Sequence, residues 1–435
     1  MTEEQQKVLN ALMSYYEAHK GEKRFYAKTL VEHMEPVFTE LGFRKEIEPG
    51  TQPKILVLRD DAAGDFVLGS AFLRELRRVY PKAHITLFGS KRNDEIARCC
   101  PYTDNLLVNG MEFESEDFWV VFKAMAPYVV EHLLPYHFDL AFSGRLGVYS
   151  ADVLIMYLAG ARARVAYTQD RMASNGKIAR IGWDVLLSHA VPLRRRVESD
   201  ADRDLFLLEY LLQLPVADRR LEMWELASDR EAAEQAIEPL IKEKKVKRLY
   251  AIMLSASEVY KAWPSERFEQ LLKTIMQKEK DVGLVVLGGP ADSQVADAFA
   301  ARFPHKAISL AGRLPFRVSA AVLGRCEKYI GNDTGLMHMA AAHGLPVLTV
   351  FTFPASLGLY PMSCPVRFQP YGVPSVAVLP AEAKEERCNF RNGTGCAERK
   401  EPHCILNVTV EKMLEGYELL TKCIKEKRTH ALLLK

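Results

Sequence analysis

The chain has 435 residues, which is long enough for two globular domains. Its net charge is +2 and 48% of its residues are hydrophobic, which suits a soluble globular protein and gives no indication of a nucleic-acid partner. The sequence contains no run of about 18 apolar residues that would predict a transmembrane helix. Its first residues are acidic and polar, unlike a secretory signal, so we expect a cytoplasmic protein.

Residues 1–50 are predicted to form a helical extension. Helical periodicity runs over Glu3–His19 and Arg24–Leu41, and Pro36 is expected to kink or split the second helix. We interpret this extension as a packing arm or an oligomer contact.

Residues 51–245 are predicted to form the first α/β domain. Its opening strand, turn, helix and second strand are expected over Lys54–Asp60, Asp61–Asp65, Phe66–Tyr80 and His84–Phe88. For such a βαβ unit a parallel sheet is the default. In parallel sheets, active sites lie at the carboxyl ends of the strands. Asp61, Gly64 and Asp65 follow the first strand and are therefore where an active site is expected.

Residues 246–408 are predicted to form a second α/β domain, because strands again alternate with helices. The predicted strands are Leu249–Leu254, Val282–Leu287, Ala307–Leu310, Tyr329–Ile330 and Val347–Phe351. The helices expected between them include Ser265–Lys278 and Asp292–Arg302. Pro361–Ala383 is rich in proline and predicted to be irregular, and residues 409–435 contain a closing helix over Thr409–Ile424.

The segment Gly331–Ala342 is the most informative part of the sequence. It has the pattern of a strand end, a tight turn and a helix start, and Gly344 suits the position after that helix. A helix start presents backbone N–H groups and the positive end of the helix dipole, which is a site for a phosphate or diphosphate. The alternative is that Asp333 and Thr334 only cap the helix, because both residue types are good N-caps.

Six segments, taken together and in order, resemble glycosyltransferase family 9, the bacterial ADP-heptose:lipopolysaccharide heptosyltransferases. The segments are Arg59–Asp65, Leu73–Pro81 with His84–Leu87, Ser257–Pro264 with Phe268, Leu287–Asp292, Leu310–Arg313 and Gly331–Ala342. The resemblance implies a GT-B fold, in which two Rossmann-like domains with parallel sheets face each other across a cleft. It further implies that the first domain binds the acceptor, that the second binds the nucleotide-sugar donor, and that the closing helix returns to the first domain.

The resemblance also assigns roles to single residues. Asp65 matches the family's catalytic base, and the alternative for it is an N-cap without a chemical role. Asp61 and Gly64 are assigned to the acceptor-side loop. Asp333 is expected to accept hydrogen bonds from sugar hydroxyls, and Asp292 from the ribose.

The leaving diphosphate requires hydrogen-bond donors. By resemblance these are Lys261, the nearby hydroxyl of Ser257 and the backbone N–H groups of the Thr334, Gly335 and Leu336 turn, with Arg59 as a further donor. The alternative for Lys261 is a solvent-exposed lysine. His338 is expected to orient the turn or pack in the core. No metal ion or cofactor is required, because the helix start and Lys261 stand in for a metal.

The chain has eight cysteines, and three of them, Cys388, Cys396 and Cys404, are evenly spaced within the loop 364–404. A structural zinc or iron site there is an alternative to reduced thiols, with Cys364 or His403 as the fourth ligand.

These features predict an inverting glycosyltransferase that moves a heptose from ADP-heptose to a hydroxyl of a lipopolysaccharide core or related acceptor. A protein-directed heptosyltransferase and a non-catalytic nucleotide-sugar-binding scaffold are the alternatives. The expected partners are the nucleotide-sugar donor and a lipid-linked saccharide. Peripheral contact with the inner face of the inner membrane is compatible with such an acceptor.

Overall fold

A computed structural model describes residues 1–46, 52–111, 117–145, 151–168, 182–192, 199–243, 246–354, 364–381 and 404–435. The chain contacts divide it into two compact units. The first unit comprises Met1–Asp61, Phe72–Val197 and Asp202–Ala217, and the second comprises Ala62–Ala71, Glu198–Ala201 and Asp218–Lys435.

The first unit is built on a parallel sheet. The elements from the start of the chain to residue 212 are α1 (Glu3–His19), α2 (Ala27–Glu40), β1 (Lys54–Arg59), α3 (Ala63–Leu68), α4 (Ser70–Val79), β2 (His84–Gly89), α5 (Asp94–Ala97), β3 (Asn105–Val108), α6 (Phe118–His132), β4 (Leu140–Ser143), α7 (Asp152–Leu158), β5 (Ala163–Tyr167), β6 (His189–Val191) and α8 (Asp200–Leu212). Among the described residues, six strands pair in the order β3-β2-β1-β4-β5-β6, which is the doubly wound Rossmann order.

The second unit repeats this architecture. Its later elements are α9 (Ala227–Ile241), β7 (Arg248–Met253), α10 (Ser265–Lys278), β8 (Val282–Leu287), α11 (Ser293–Ala300), β9 (Ala307–Ser309), α12 (Phe316–Leu323), β10 (Lys328–Asn332), α13 (Gly335–Ala342), β11 (Val347–Val350), β12 (Ser375–Val378), α14 (Val410–Lys425) and β13 (Leu432–Leu434). Seven described strands pair in parallel in the order β13-β12-β11-β10-β7-β8-β9. Strands such as β8 are buried along their whole length, as expected for a sheet with helices on both faces.

The N-terminal extension is part of the core of the first unit. One face of α1 and α2, which includes Leu12, Leu30 and Phe38, is fully buried in the same apolar cluster as α6 and α7. Of the two effects predicted for Pro36, a split does not occur, because α2 continues through this residue. Proline removes one N–H and costs one helical hydrogen bond, and the buried face of α2 offsets this loss.

The helix predicted over Phe66–Tyr80 is two helices. The first, α3, begins three residues earlier than expected and ends at Gly69, whose N–H donates to the carbonyl of Phe66 at 3.0 Å. This short-range bond tightens the last turn and ends the helix before α4 begins. Asp65 therefore lies inside the first turn of a helix rather than before it.

One prediction for the C-terminal part was wrong. Pro361–Ala383 is not wholly irregular, because β12 lies in it and pairs with β11. The closing helix α14 is part of the second unit. Its buried face, with Met413 and Leu420, packs against β11, β12 and α10 in the apolar cluster of the second unit. The final strand, β13, was not predicted and pairs with β12.

Candidate functional site

The second sheet changes its winding direction between β7 and β10, which are hydrogen-bonded neighbours. In doubly wound sheets the loops that leave the carboxyl ends of two such strands open a crevice, and ligands bind there. The loop after β7 contains Ser255, Ser257 and Lys261, and the turn after β10 contains Asp333 and Thr334. The topology therefore brings two of the predicted motifs to one edge of one sheet.

Asn332, the last residue of β10, joins these two loops. Its side chain is fully buried, with Oδ1 accepting from the N–H of Trp263 at 2.9 Å and Nδ2 donating to the carbonyl of Leu254 at 2.8 Å. Sequence reasoning did not single out Asn332 although it lies inside the Gly331–Ala342 segment. The sequence did contain a signal for this role, namely an asparagine at the end of a buried strand. A buried side-chain amide needs hydrogen-bond partners, so it indicates contacts with neighbouring loops.

The side chain of Thr334 does not cap α13. Thr334 is the N-cap residue, but in the described structure its side chain makes no capping hydrogen bond. Its Oγ1 lies 3.2 Å from the hydroxyl of Tyr329, which donates to the carbonyl of Asn332 at 2.8 Å. The interpretation that Thr334 serves only as a side-chain cap therefore fails, and this helix start follows the carboxyl end of β10, at the crevice edge of the sheet.

The first turns of α3 and α13 are in direct contact. A Cβ placed on Gly64 would lie 2.6 Å from Cα of Gly335 and 3.3 Å from Cδ2 of His338. Only glycine at position 64 permits this approach, because real Cβ atoms do not come within 3.0 Å of backbone. The contact brings Asp65, the residue after Gly64, to the start of α13.

Asp65 is half-buried and is the third residue of α3. The N-cap of that helix is Ala62, so the alternative that Asp65 is an N-cap is excluded. A carboxylate in the first turn is stabilised in its ionised form by the helix dipole.

Lys261 is buried, with 9% of its surface exposed, in a short helical turn over Val259–Lys261. Within the part of the chain that the structure describes, no carboxylate forms an ion pair with its ammonium group. The alternative of a solvent-exposed lysine is therefore wrong. A largely enclosed lysine without a protein counterion is suited to bind an anionic ligand.

The two serines of this loop have different environments. Ser257 is exposed, whereas the Oγ of Ser255 is buried and has no hydrogen-bond partner among the described residues. Ser255 lies two residues after the end of β7 and was missed by sequence reasoning, since an isolated serine carries no distinguishing pattern.

His338 lies one turn into α13 and is 3% exposed. Burial lowers its pKa to about 4, with Asp200 acting weakly in the opposite direction, so the imidazole is neutral at pH 7. Its Nδ1 has no hydrogen-bond partner among the described residues.

Asp292 lies beyond the carboxyl end of β8, the neighbour of β7. Its Oδ2 accepts from the N–H of Gly289 at 2.8 Å and closes the turn between them. One carboxylate oxygen is thus used by the fold.

In the first unit, Arg59 and Asp61 form a buried ion cluster with Asp204. Arg59 Nη2 lies 2.8 Å from Asp61 Oδ2, and Nη1 donates to Asp204. The carbonyl of Asp61 also accepts from Ser90 and Asn93, at 2.8 and 3.0 Å. Two carboxylates therefore already compensate the charge of Arg59, which disfavours it as a donor to the diphosphate.

The residues that the structure describes contain no group of three or more histidine, cysteine, aspartate or glutamate side chains arranged to hold a metal. Cys388, Cys396 and His403 lie outside the described residues, so the zinc or iron site remains a prediction. Cys364 is buried, and Cys404 is partly exposed. No described helix has the length and apolar character needed to span a membrane.

Comparison with known proteins identifies the family. The family model for glycosyltransferase family 9 (heptosyltransferase) matches residues 133–392, more than half of the chain. This range includes Lys261, Asp333 and His338, whereas Asp61, Gly64 and Asp65 precede it. No curated protein sequence matches the chain at a significant level.

Solved structures share the fold at low sequence identity. A family 9 glycosyltransferase from Veillonella parvula is 18% identical with a TM-score of 0.63, and the match covers 88% of this chain and all of that one. ADP-heptose LPS heptosyltransferase II of E. coli is 15% identical with a TM-score of 0.58, covering 85% and 99% of the two chains. E. coli heptosyltransferase WaaC, solved with ADP, is 15% identical with a TM-score of 0.59, covering 84% and 99%. The two parallel α/β units and the helical N-terminus thus agree with the GT-B fold, and the chain belongs to glycosyltransferase family 9, the heptosyltransferase family of glycosyltransferases.

Proposed function

We propose that this protein is an inverting glycosyltransferase that moves a heptose from ADP-heptose to a hydroxyl of a lipopolysaccharide core or related acceptor. One observation carries the proposal. Gly64 packs against Gly335 at the start of α13, and Asp65 is the next residue of α3, so we place its carboxylate beside a helix start that is suited to a diphosphate. A single base next to the leaving-group site fits a direct displacement, which inverts the sugar.

The leaving diphosphate is bound by the start of α13 and by Lys261. The N–H groups of Thr334, Gly335 and Leu336 and the positive end of the helix dipole stabilise the charge that develops on the diphosphate. Lys261, buried without a protein counterion in the described chain, contributes a full positive charge, and Ser257 a hydroxyl. These donors take the part that a metal ion plays elsewhere, so we expect metal-independent transfer.

The remaining groups orient the substrates. Asp65 accepts the proton of the acceptor hydroxyl, Asp333 binds sugar hydroxyls, and the free oxygen of Asp292 binds the ribose. His338 supports the α13 turn as a neutral side chain. Asp61 and Gly64 belong to the acceptor-side loop, where Asp61 fixes the end of β1. A cytoplasmic enzyme that touches the inner face of the membrane peripherally fits a lipid-linked acceptor.

The first test is calorimetric titration of the purified protein with ADP, UDP and GDP, with and without EDTA. Selective binding of ADP that survives EDTA is the expected result. Preference for UDP or GDP would retain the glycosyltransferase but discard ADP-heptose as its donor. If none of the three binds, the proposed diphosphate site is wrong.

The second test is the variant Asp65→Ala, assayed for ADP release from ADP-heptose with a heptose-free lipopolysaccharide core. We expect turnover to fall by roughly 100- to 10,000-fold, the usual contribution of a general base, while ADP affinity stays within about threefold. Near-normal turnover would remove Asp65 from this role. Activity of the unmodified enzyme on a protein acceptor only would favour the protein-directed alternative.

A further inference from the structure

Asn332, the last residue of β10, closes the base of the loop that carries Lys261. This loop leaves the sheet after Leu254 and returns at Trp263, and both of these residues are buried. Oδ1 of Asn332 accepts from the N–H of Trp263 at 2.9 Å, and Nδ2 donates to the carbonyl of Leu254 at 2.8 Å. A longer bond from Nδ2 reaches the carbonyl of Ser255 at 3.4 Å. One side chain therefore holds the two ends of the loop together.

Between these two ends the loop extends into solvent. Glu258 is exposed, and Val259 is 88% exposed. An exposed segment has few contacts that could fix its position, so its placement depends on where its ends are held. Lys261 is buried and lies two residues before Trp263, the end that is bound to Oδ1 of Asn332. The position of the lysine is therefore tied closely to this asparagine.

The chemistry of the two contacts requires an amide at position 332. One contact is with an N–H group and the other is with a carbonyl, so the side chain must offer an acceptor and a donor. A carboxylate would lack the donor. Asn332 is also fully buried, and its own carbonyl accepts from the hydroxyl of Tyr329 at 2.8 Å. A buried group that loses its partner keeps the cost of its desolvation, so each of these bonds is expensive to lose.

We propose that Asn332 is a positioning residue for the donor, which holds Lys261 in a fixed place relative to the turn before α13. The inference rests on the proposed contact of Lys261 with the diphosphate. Asn332 both ends β10, which leads into that turn, and anchors the loop after β7. The two sets of proposed diphosphate donors are thus placed relative to each other by one side chain. Donors that are already in place bind an anion better than donors that must be ordered on binding.

The first measurement is the affinity of Asn332→Ala for ADP and for adenosine, by titration calorimetry. ADP affinity should fall by roughly 3- to 30-fold, less than for Lys261→Ala, because the lysine is misplaced and not removed. Adenosine has no diphosphate and offers no anion to the lysine, so its affinity should stay within about twofold. An equal loss for both ligands would show that the variant disturbs the whole site, and would overturn the proposal.

The second measurement is a double-mutant cycle between positions 332 and 261. If Asn332 acts through Lys261, its replacement has nothing left to misplace once the lysine is gone. Asn332→Ala should then change the ADP affinity of Lys261→Ala by less than about twofold. The same loss in both backgrounds would mean that Asn332 acts on the α13 turn or on the fold as a whole.

Tyr417→Phe is the matched control. The hydroxyl of Tyr417 is a buried polar contact at the opposite end of the same strand, where Nζ of Lys328, the first residue of β10, donates to it at 2.9 Å. Phenylalanine keeps the packing and removes this bond, so stability should fall while the affinities for ADP and adenosine stay those of the unmodified protein. If the control lost as much ADP affinity as Asn332→Ala, the loss would not be specific to the loop and the proposal would be wrong.

Hydrogen exchange measures the anchoring of the loop without any ligand. In Asn332→Ala the N–H of Trp263 loses its acceptor, so exchange over residues 255–263 should become faster while the buried strand β8 keeps its slow exchange. Unchanged exchange over the loop would show that other contacts hold it, which contradicts the proposed role.

Thermal unfolding establishes that each variant is folded. If Asn332→Ala does not fold, Asn332→Ser takes its place in every comparison, because its hydroxyl offers a partner to one of the two freed backbone groups. The outcomes also separate this inference from the proposed function. If Lys261→Ala binds ADP normally, the proposed contact of the lysine is wrong and the role of Asn332 fails with it. If Lys261→Ala binds ADP weakly but the cycle shows no coupling, only the role of Asn332 is wrong.

Discussion

At the scale of single residues, the two buried cations near the motifs have opposite environments. Arg59 is bound by the carboxylates of Asp61 and Asp204. Lys261 is also buried but has no carboxylate partner among the described residues. A cation that is already neutralised gains little from a diphosphate, whereas one without a counterion gains more. This difference supports our proposal that Lys261, and not Arg59, binds the leaving group.

The change Lys261→Ala tests this selection. Loss of a charge-assisted hydrogen bond should cost about 1.5–3 kcal/mol, so ADP affinity should fall by roughly 10- to 100-fold. Titration calorimetry measures the affinity. Lys273→Ala, which changes an exposed lysine of α10 paired with Glu269, should leave it unchanged. Equal affinities for Lys261→Ala and the unmodified protein would rule out a contact with the diphosphate.

At the scale of elements, the site depends on how closely the starts of α3 and α13 approach. The two helices meet at Gly64 and Gly335, where no side chain separates the backbones. A short helix of six residues has little stability of its own, so this contact and the burial of Phe66 hold it in place.

Gly64→Ala should therefore separate the two helix starts. The added methyl group would lie 2.6 Å from Cα of Gly335, and relief of this overlap should cost roughly 1–3 kcal/mol of the free energy of unfolding. Turnover should also fall, because Asp65 moves with α3. Urea unfolding and the ADP-release assay measure the two effects. Gly21→Ala, where nothing lies within 4 Å of the added carbon, is the control. An unaltered stability would show that α3 accommodates the methyl group elsewhere.

The helix α13 carries the buried His338, and its C-cap is the partly buried His343; burial lowers the pKa of each to about 4. In the unfolded chain a histidine has a pKa of about 6.5, so the unfolded state binds more protons than the folded state below that pH. The stabilisation from both neutral side chains is complete above about pH 6.5 and is lost as the pH falls toward 4.

We expect the urea midpoint to decrease between pH 7 and pH 5, and less steeply when both histidines are replaced by glutamine. His305→Gln, at an exposed position, should keep the slope of the unmodified protein. The comparison uses the slope with pH and not the absolute stability, because the double replacement also changes packing. An identical slope in the double variant would mean that these histidines are not buried in their neutral form.

At the scale of the whole molecule, each unit has its own apolar core, and the N-terminal extension contributes to the first. Gln5 donates to the carbonyl of Val130 at 3.0 Å, and Trp119 donates to the carbonyl of Glu22 at 2.9 Å. The extension is therefore bound to α6 by buried polar contacts as well as by apolar packing. Of the two sequence interpretations, these contacts support the packing arm.

The change Leu30→Ala measures how far the first unit depends on the extension. Leu30 is fully buried in α2, so the free energy of unfolding should fall by roughly 2–5 kcal/mol. ADP affinity, which we assign to the second unit, should stay unchanged. Leu214→Ala at a position 65% exposed is the matched control. A loss no larger than that of the control would identify the extension as a loosely attached arm.

Local sequence patterns were sufficient to predict much of the fold. The bounds of α10 are those predicted, because its buried residues recur at helical spacing and Pro264 precedes it. Buried strands such as β8 are continuous apolar runs and were found for the same reason. The Rossmann-like character of both units, the helical N-terminus and the family were also predicted correctly. The domain boundaries and the roles of the site residues stay predictions.

The tertiary structure decided what depends on pairing between distant segments. The short strands β6, β12 and β13 have too few residues for a periodic pattern and exist because a neighbouring strand pairs with them. Three further features cannot be read from the local sequence. They are the placement of Ala62–Ala71 in the second unit, the burial of Lys261 and the hydrogen bonds of Asn332. The sequence by itself determined which residues are able to take part in the reaction, because a charged group, a hydroxyl group or the lack of a side chain is a property of the residue type. Which of them meet was decided by packing, because a contact such as that of Gly64 with Gly335 joins segments from distant parts of the chain.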